Sequence, residues 1–185
     1  HGMRNIPFLE EVGFCGVDSV FAHGVHVSDE ECETLARTGT AVCHCPSSNL
    51  KLASGIADVP RFDAYGVPVA LGADGAPCNN NLDAFVEMRL AALIHKPTHG
   101  PEAMPAERVL RLATRDGAEA LGIGDRTGSI EVGKEADLVV VDLDGYARTS
   151  PDGELLSRIV YSAQSENVDH VFAGGRQLVR DGELV

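Results

Sequence analysis

The stretch Val67-Pro-Val-Ala-Leu-Gly-Ala-Asp-Gly-Ala-Pro-Cys-Asn-Asn-Asn81 decides the fold. Its first part, Val67 to Leu71, is a short apolar run, the pattern of a strand buried on both faces. Gly72 stops the run, and Asp74 follows between small residues at the head of a polar, turn-rich loop. A carboxylate at the C-terminal end of a buried parallel strand is where α/β barrels keep their chemistry. It is also a hard oxygen ligand for a divalent metal. An Asp in this place can equally cap the next turn or helix. The local pattern leaves cap and ligand both open.

Outward from that strand the same rhythm repeats. Upstream, a helix over Ile6 to Glu11 precedes a strand from Ser19 to Ala22, which runs into His23-Gly-Val-His26. Ser28 and Glu31 have capping-box spacing, so a helix starts there, and Gly39 ends it. Thr40 to Cys43 is the next strand, leading to His44-Cys-Pro46, where proline removes a ladder donor. Residues 47–51 read as a polar loop, Asp58 to Tyr65 as a two-turn helix closed by Gly66. Downstream, Leu82, Phe85, Met88, Leu90 and Leu93 form an apolar helical stripe. Lys96 to Pro101 reads as a connector, and helices follow from Met104-Pro105 and over Ala118 to Leu121. Alternating strand and helix predicts parallel βαβ units.

Near Gly128 the pattern changes. Leu138 to Asp142, Arg158 to Tyr161, Val168 to Ala173 and Gln177 to Val179 read as short strands, with a hairpin at Ala173-Gly-Gly175. The expected division is an α/β unit over residues 1–127 and a small β-rich unit over 128–185.

The bulk properties set limits. A chain of 185 residues with 44% hydrophobic and 23% charged residues suits a soluble globular protein with a real core. A net charge of −13 offers no basic excess for a nucleic-acid backbone or an anionic membrane surface. No run of 18 apolar residues is present to span a bilayer. The five cysteines are odd in number and lack CxxC spacing, which disfavours a disulfide framework and points to a reducing, cytoplasmic setting. In Cys43-His-Cys45 the two thiols share one face of a strand.

His23, His44 and Asp74 each stand at the end of a predicted strand, so parallel pairing brings them to one rim. Each histidine could instead bond backbone in a packed turn. The spacing of His95 and His99 suits a metal on a helix, but Pro97 lies between them, which argues against that face.

Phe21-Ala-His-Gly-Val-His26, His44-Cys-Pro-Ser-Ser-Asn-Leu-Lys51, Leu71-Gly-Ala-Asp-Gly-Ala-Pro-Cys-Asn-Asn80 and Phe85-Val-Glu-Met-Arg-Leu-Ala-Ala92 together resemble the amidohydrolase superfamily. Within it they are most similar to the methylthioadenosine/S-adenosylhomocysteine deaminases and 5′-deoxyadenosine deaminases. Gly128 to Val139 resembles that superfamily's re-entry into a flanking β-sandwich.

The resemblance implies a metal-dependent (β/α)8 TIM barrel, of which this chain carries strands 6–8, followed by a β-sandwich segment. It implies one divalent metal, zinc or alternatively iron, and a metal-activated water that displaces ammonia from a purine nucleoside. Asp74 matches the strand-8 metal ligand and base, with contact to substrate, and His23 matches the strand-6 histidine, making these two the catalytic pair. His44, Asn49 and Asn79 match loops that wall the substrate site. A homo-oligomeric full-length enzyme is also implied. The family's His-x-His pair, and its strand-5 His with the following Glu, have no counterpart in this sequence. His1 aligns with the helix after strand 5 and is not that ligand. The expectation is therefore a piece of an enzyme, inactive by itself, since a lone carboxylate does not hold a catalytic metal. Two other readings share the scaffold: a guanine, 8-oxoguanine or pterin deaminase or chlorotriazine hydrolase, and a non-catalytic half-barrel interaction module.

Overall fold

A computed structural model describes residues 2–144 and 153–185 of the chain. His1 lies outside the described residues. The elements in order are α1 (Asn5–Glu11), β1 (Val20–Ala22), α2 (Asp29–Thr38), β2 (Ala41–His44), α3 (Pro46–Lys51), α4 (Val59–Tyr65) and β3 (Val69–Leu71). These are followed by α5 (Ala76–Asn79), α6 (Ala84–Leu93), α7 (Lys96–His99), α8 (Ala106–Ala113) and α9 (Arg115–Ala120). The second part holds β4 (Leu138–Val141), α10 (Leu155–Ser157), a π-helix over Arg158–Ser162, β5 (Val168–Ala173), β6 (Arg176–Arg180) and β7 (Glu183–Leu184).

β1, β2 and β3 form a parallel sheet in that order. The register pairs Ala22 with Cys43 and His44 with Leu71, so the three strands finish within a residue or two of one another. Two further bonds extend the ladder: the His23 amide donates to the Cys43 carbonyl and the Gly72 amide to the His44 carbonyl, both at 2.9 Å. That register carries His23 and Asp74 to one rim.

Helices α2, α4, α6 and α8 pack on the Val42 and Val69 face of the sheet, and Ala120 of α9 clusters with Ala41 and Ala70. Leu35, Val42, Val59, Phe62, Val109 and Leu112 are wholly or almost wholly buried in one cluster. Each contributes about 1.5–3 kcal/mol of burial. The capping box at Ser28 forms as expected: the Glu31 amide donates to Ser28 Oγ and the Ser28 amide donates to Glu31. Arg4 adds an ion pair at 2.8 Å that keeps Glu31 charged in its buried place. Gly24 lies where the chain passes closest to the core. A Cβ there would stand 2.8 Å from Val42 Cγ1, and its φ is +64°.

β4 to β7 form a separate antiparallel sheet. Gly174 and Gly175, at φ +55° and +79°, make the two-residue turn between β5 and β6, as the primed hairpin turns require.

Three sequence expectations are corrected. Residues 47–51 are not a loop: α3 starts with Pro46 in its first turn and ends on Lys51, which suits the negative helix end. Arg158 to Tyr161 is not a strand but a π-helix, since Val160 is fully buried in the main core cluster. The connector after α6 contains α7, because Pro97 falls in the first turn, where it breaks no bond.

Candidate functional site

His23 and Asp74 meet beyond the strand ends, with His23 Nε2 3.9 Å from Asp74 Oδ2. Both have left-handed backbones, at φ +72° and +62°. Non-glycine residues hold this conformation at a cost of about 1–3 kcal/mol, and it clusters at functional sites. Here the turn at each strand end swings the side chain back across the rim.

Asp74 is held by its surroundings. Its Oδ2 accepts a 2.6 Å bond from Ser48 Oγ, and its Oδ1 accepts a 2.7 Å bond from the Gly75 amide. Ser48, then the Gly75 amide, hold its carboxyl below the usual carboxylate range against some desolvation, with smaller help from His23 and Cys78. The carboxylate is thus fixed and ionised while a quarter of its side chain stays exposed.

Asn49 holds His23 from the other side, its Oδ1 2.9 Å from His23 Nδ1. That contact orients the imidazole ring. At 3.9 Å, His23 Nε2 and Asp74 Oδ2 lie beyond direct hydrogen-bond range. A water about 2.8 Å from each atom fits between them. Asn49 itself is buried. An open cleft of about 620 Å³ adjoins His23 and is lined in part by Arg4, Phe21, His26, Ser48 and Asn49.

The remaining residues expected to touch substrate are placed differently. Asn79 is buried, and its amide donates 2.7 Å bonds to the Ala73 carbonyl and to Glu87. It braces the Asp74 loop instead of facing an opening. His44 is a correction: it is fully buried, on the helix side of β2, with its ring centroid 5.5 Å from that of His95. Alternation along β2 puts it with core residue Val42 and away from the rim. Burial, and then His95, lower its pKa to about 3. His95 is buried as well and lowered to about 4, burial being the main cause.

Two residues that carry the site were given no separate role in the sequence reading. The resemblance places Ser48 in the loop that walls the site, and the structure adds its bond to Asp74. Glu87 is 1% exposed and accepts bonds from the Ser47 amide at 3.1 Å and from Asn79. It ties the start of α3 to the Asp74 loop. A charged residue inside the apolar stripe of a helix was the available signal.

The donor set at Asp74 does not by itself fit a catalytic metal. Among the described residues, the one cluster of three or more candidate ligands is Asp169, His170 and Asp181, on the antiparallel sheet. One carboxylate with a neighbouring histidine falls short of the roughly three protein ligands such a metal needs.

The model of the amidohydrolase family matches residues 3–178, and the chain belongs to that family. It is 46% identical over its whole length to a 5-methylthioadenosine/S-adenosylhomocysteine deaminase of Syntrophobacter fumaroxidans and 42% identical to a 5′-deoxyadenosine deaminase of Methanopyrus kandleri. It spans 42% and 43% of those two proteins. The crystal structure of a zinc-bound adenosine deaminase from Xanthomonas campestris superposes on all of this chain with a TM-score of 0.96 at 40% identity, over 42% of its own length. Among the described residues no helix is long and apolar enough to cross a membrane.

Proposed function

We propose that this chain is the C-terminal part, strands 6–8 and a β-sandwich segment beginning near residue 128, of a metal-dependent hydrolytic deaminase. Its substrate is an adenosine-type nucleoside: 5′-deoxyadenosine, methylthioadenosine or S-adenosylhomocysteine. The observation that carries this reading is the convergence of His23 and Asp74, each on a left-handed turn at a parallel strand end, 3.9 Å apart. The relatives' names and the zinc in a close structural neighbour support it. The sheet supports the larger barrel too, because three strands do not close one. Large apolar side chains such as Phe14, Val17 and Leu82 also stand well exposed.

In this reading Asp74 is one ligand of a single divalent metal, zinc by preference, whose other ligands lie outside this sequence. What a bound metal supplies there is a water whose pKa is lowered toward neutrality. The roles of this chain's own residues would be to position groups around such a water. Asp74, held by Ser48 and the Gly75 amide, would be the residue of this chain that holds the metal and the base toward such a water. His23, oriented by Asn49, would face that water or the leaving group. Asn79 and Glu87 keep the Asp74 loop in place.

The test replaces the matching 42% of the Syntrophobacter relative with this chain and measures ammonia release from 5′-deoxyadenosine and S-adenosylhomocysteine. The chimera is expected to be active, and its Asp74→Ala variant to lose both activity and bound zinc. An Asp74→Ala chimera that kept its activity would refute the assigned role. A folded, zinc-loaded chimera inert on these nucleosides but active on guanine or a chlorotriazine would move the substrate assignment.

A further inference from the structure

The sheet runs in the order β1, β2, β3, and among the described residues nothing pairs with the outer side of β1. The bonds to β2 show which of its backbone groups point which way. Ser19 gives its carbonyl to the Ala41 amide at 3.0 Å, and the His23 amide donates to the Cys43 carbonyl at 2.9 Å. Along a parallel ladder alternate residues turn toward a given neighbour. Ser19, Phe21 and His23 therefore serve β2, and the amides of Val20 and Ala22 face the open side. Both of these residues are exposed.

The open side is shaped to receive a strand. The cleft of about 620 Å³ that adjoins His23 is lined from β1 by Phe21 and Ala22, from α1 by Ile6 and Leu9, and from α2 by Leu35. On the link from α1 to β1, Phe14 and Val17 are 64% and 77% exposed. A row of open amides beside apolar surface is a template for another strand. A strand laid parallel to β1 would finish at the rim that holds His23 and Asp74. The zinc-bound Xanthomonas campestris structure has this same fold over 42% of its length, so more than half of a related chain remains to supply that strand.

We propose that the free edge of β1 binds a parallel strand from the remaining part of such a chain, and does so when that part is a separate polypeptide. The contact is backbone to backbone through Val20 and Ala22, with apolar side chains of the added strand set against Ile6, Leu9 and Leu35. It rests on the reading of this chain as part of a barrel, and not on the substrate named for it.

The test co-expresses this chain, tagged, with the part of the Syntrophobacter relative that it does not cover, as two polypeptides. The two are expected to co-purify at one to one. Amide hydrogen exchange, read residue by residue, should be about tenfold slower or more at Val20 and Ala22 in the complex than in the chain alone. Phe21, already bonded to β2, should change little. Val20→Pro removes an outward amide, a change that an edge strand tolerates, and should weaken co-purification several-fold. Val20→Thr keeps the amide and should retain it. Failure to co-purify, fast exchange at Val20 and Ala22 within the complex, or binding unaffected by Val20→Pro would overturn the proposal. So would the same protection in the chain alone, rising with its concentration, which would assign the edge to a second copy. An active covalent chimera whose two pieces do not associate when separate would sink the docking and leave the deaminase reading standing.

Discussion

Replacing His44 by leucine should flatten the pH dependence of stability on the acid side. His44 is fully buried, neither ring nitrogen has a hydrogen-bond partner, and its nearest ring neighbour is another buried histidine, His95. Burial lowers its pKa from 6.5 to about 3. The unfolded chain therefore binds the extra proton between about pH 6.5 and 3, and stability falls as the pH falls through that window. At pH 5 the unfolded group lies one and a half units below its pKa, and each unit is worth about 1.36 kcal/mol. The folded group is still neutral there. The wild type should thus lose about 2 kcal/mol between pH 7 and pH 5 through His44 alone. Leucine is apolar and of similar size. It leaves no unmet polar atom in the core, so stability at pH 7 should change little. Urea unfolding of both proteins at pH 7, 6 and 5 measures the difference. Parallel losses in the two proteins would show that His44 is not buried neutral, and that β2 does not turn it into the core.

Two further substitutions test the supports of the site. Glu87→Ala should destabilise the fold by about 3–5 kcal/mol, because it strands the Ser47 amide and the buried Asn79 side chain; a loss under 1 kcal/mol in urea unfolding would count against the brace. Gly24→Ala should cost about 1–3 kcal/mol, since its Cβ meets Val42 and Phe62 at a backbone angle that suits glycine; an unchanged thermal midpoint would contradict that packing.

The parallel sheet was legible because its signals were local and agreed with one another. Short apolar runs ended at Gly72 and Pro46, and the Ser28 capping box and the glycines at 39 and 66 fixed helix ends between them. Where the sequence misled, a long-range contact outweighed a local preference. Ile159 and Val160 favour a strand, but burying Val160 in the helical core selects a π-helix. Ser47, Ser48 and Asn49 look like loop residues, yet Glu87, forty residues away from Ser47, accepts the Ser47 amide at the start of α3. No window of local sequence contains that bond.

His44 is the instructive error within the site. The family resemblance implies a wall residue at this position, and the register of β2 turns the ring the other way. The period of two along β2 sets Ala41 and Cys43 on one face and His44 on the other with Val42. Asp74 escapes that constraint because it lies beyond the strand. Its direction comes from a left-handed turn that an aspartate adopts more readily than most residues. His23 turns in the same way at the end of β1. Two strained residues at adjacent rims, each held by a neighbour from α3, are more than packing requires. Ser48 and Asn49 are consecutive on α3, so one short helix grips both residues. Any movement of α3 shifts His23 and Asp74 together and preserves the gap between them. Glu87, buried on α6, anchors the start of that helix through the Ser47 amide without touching either residue.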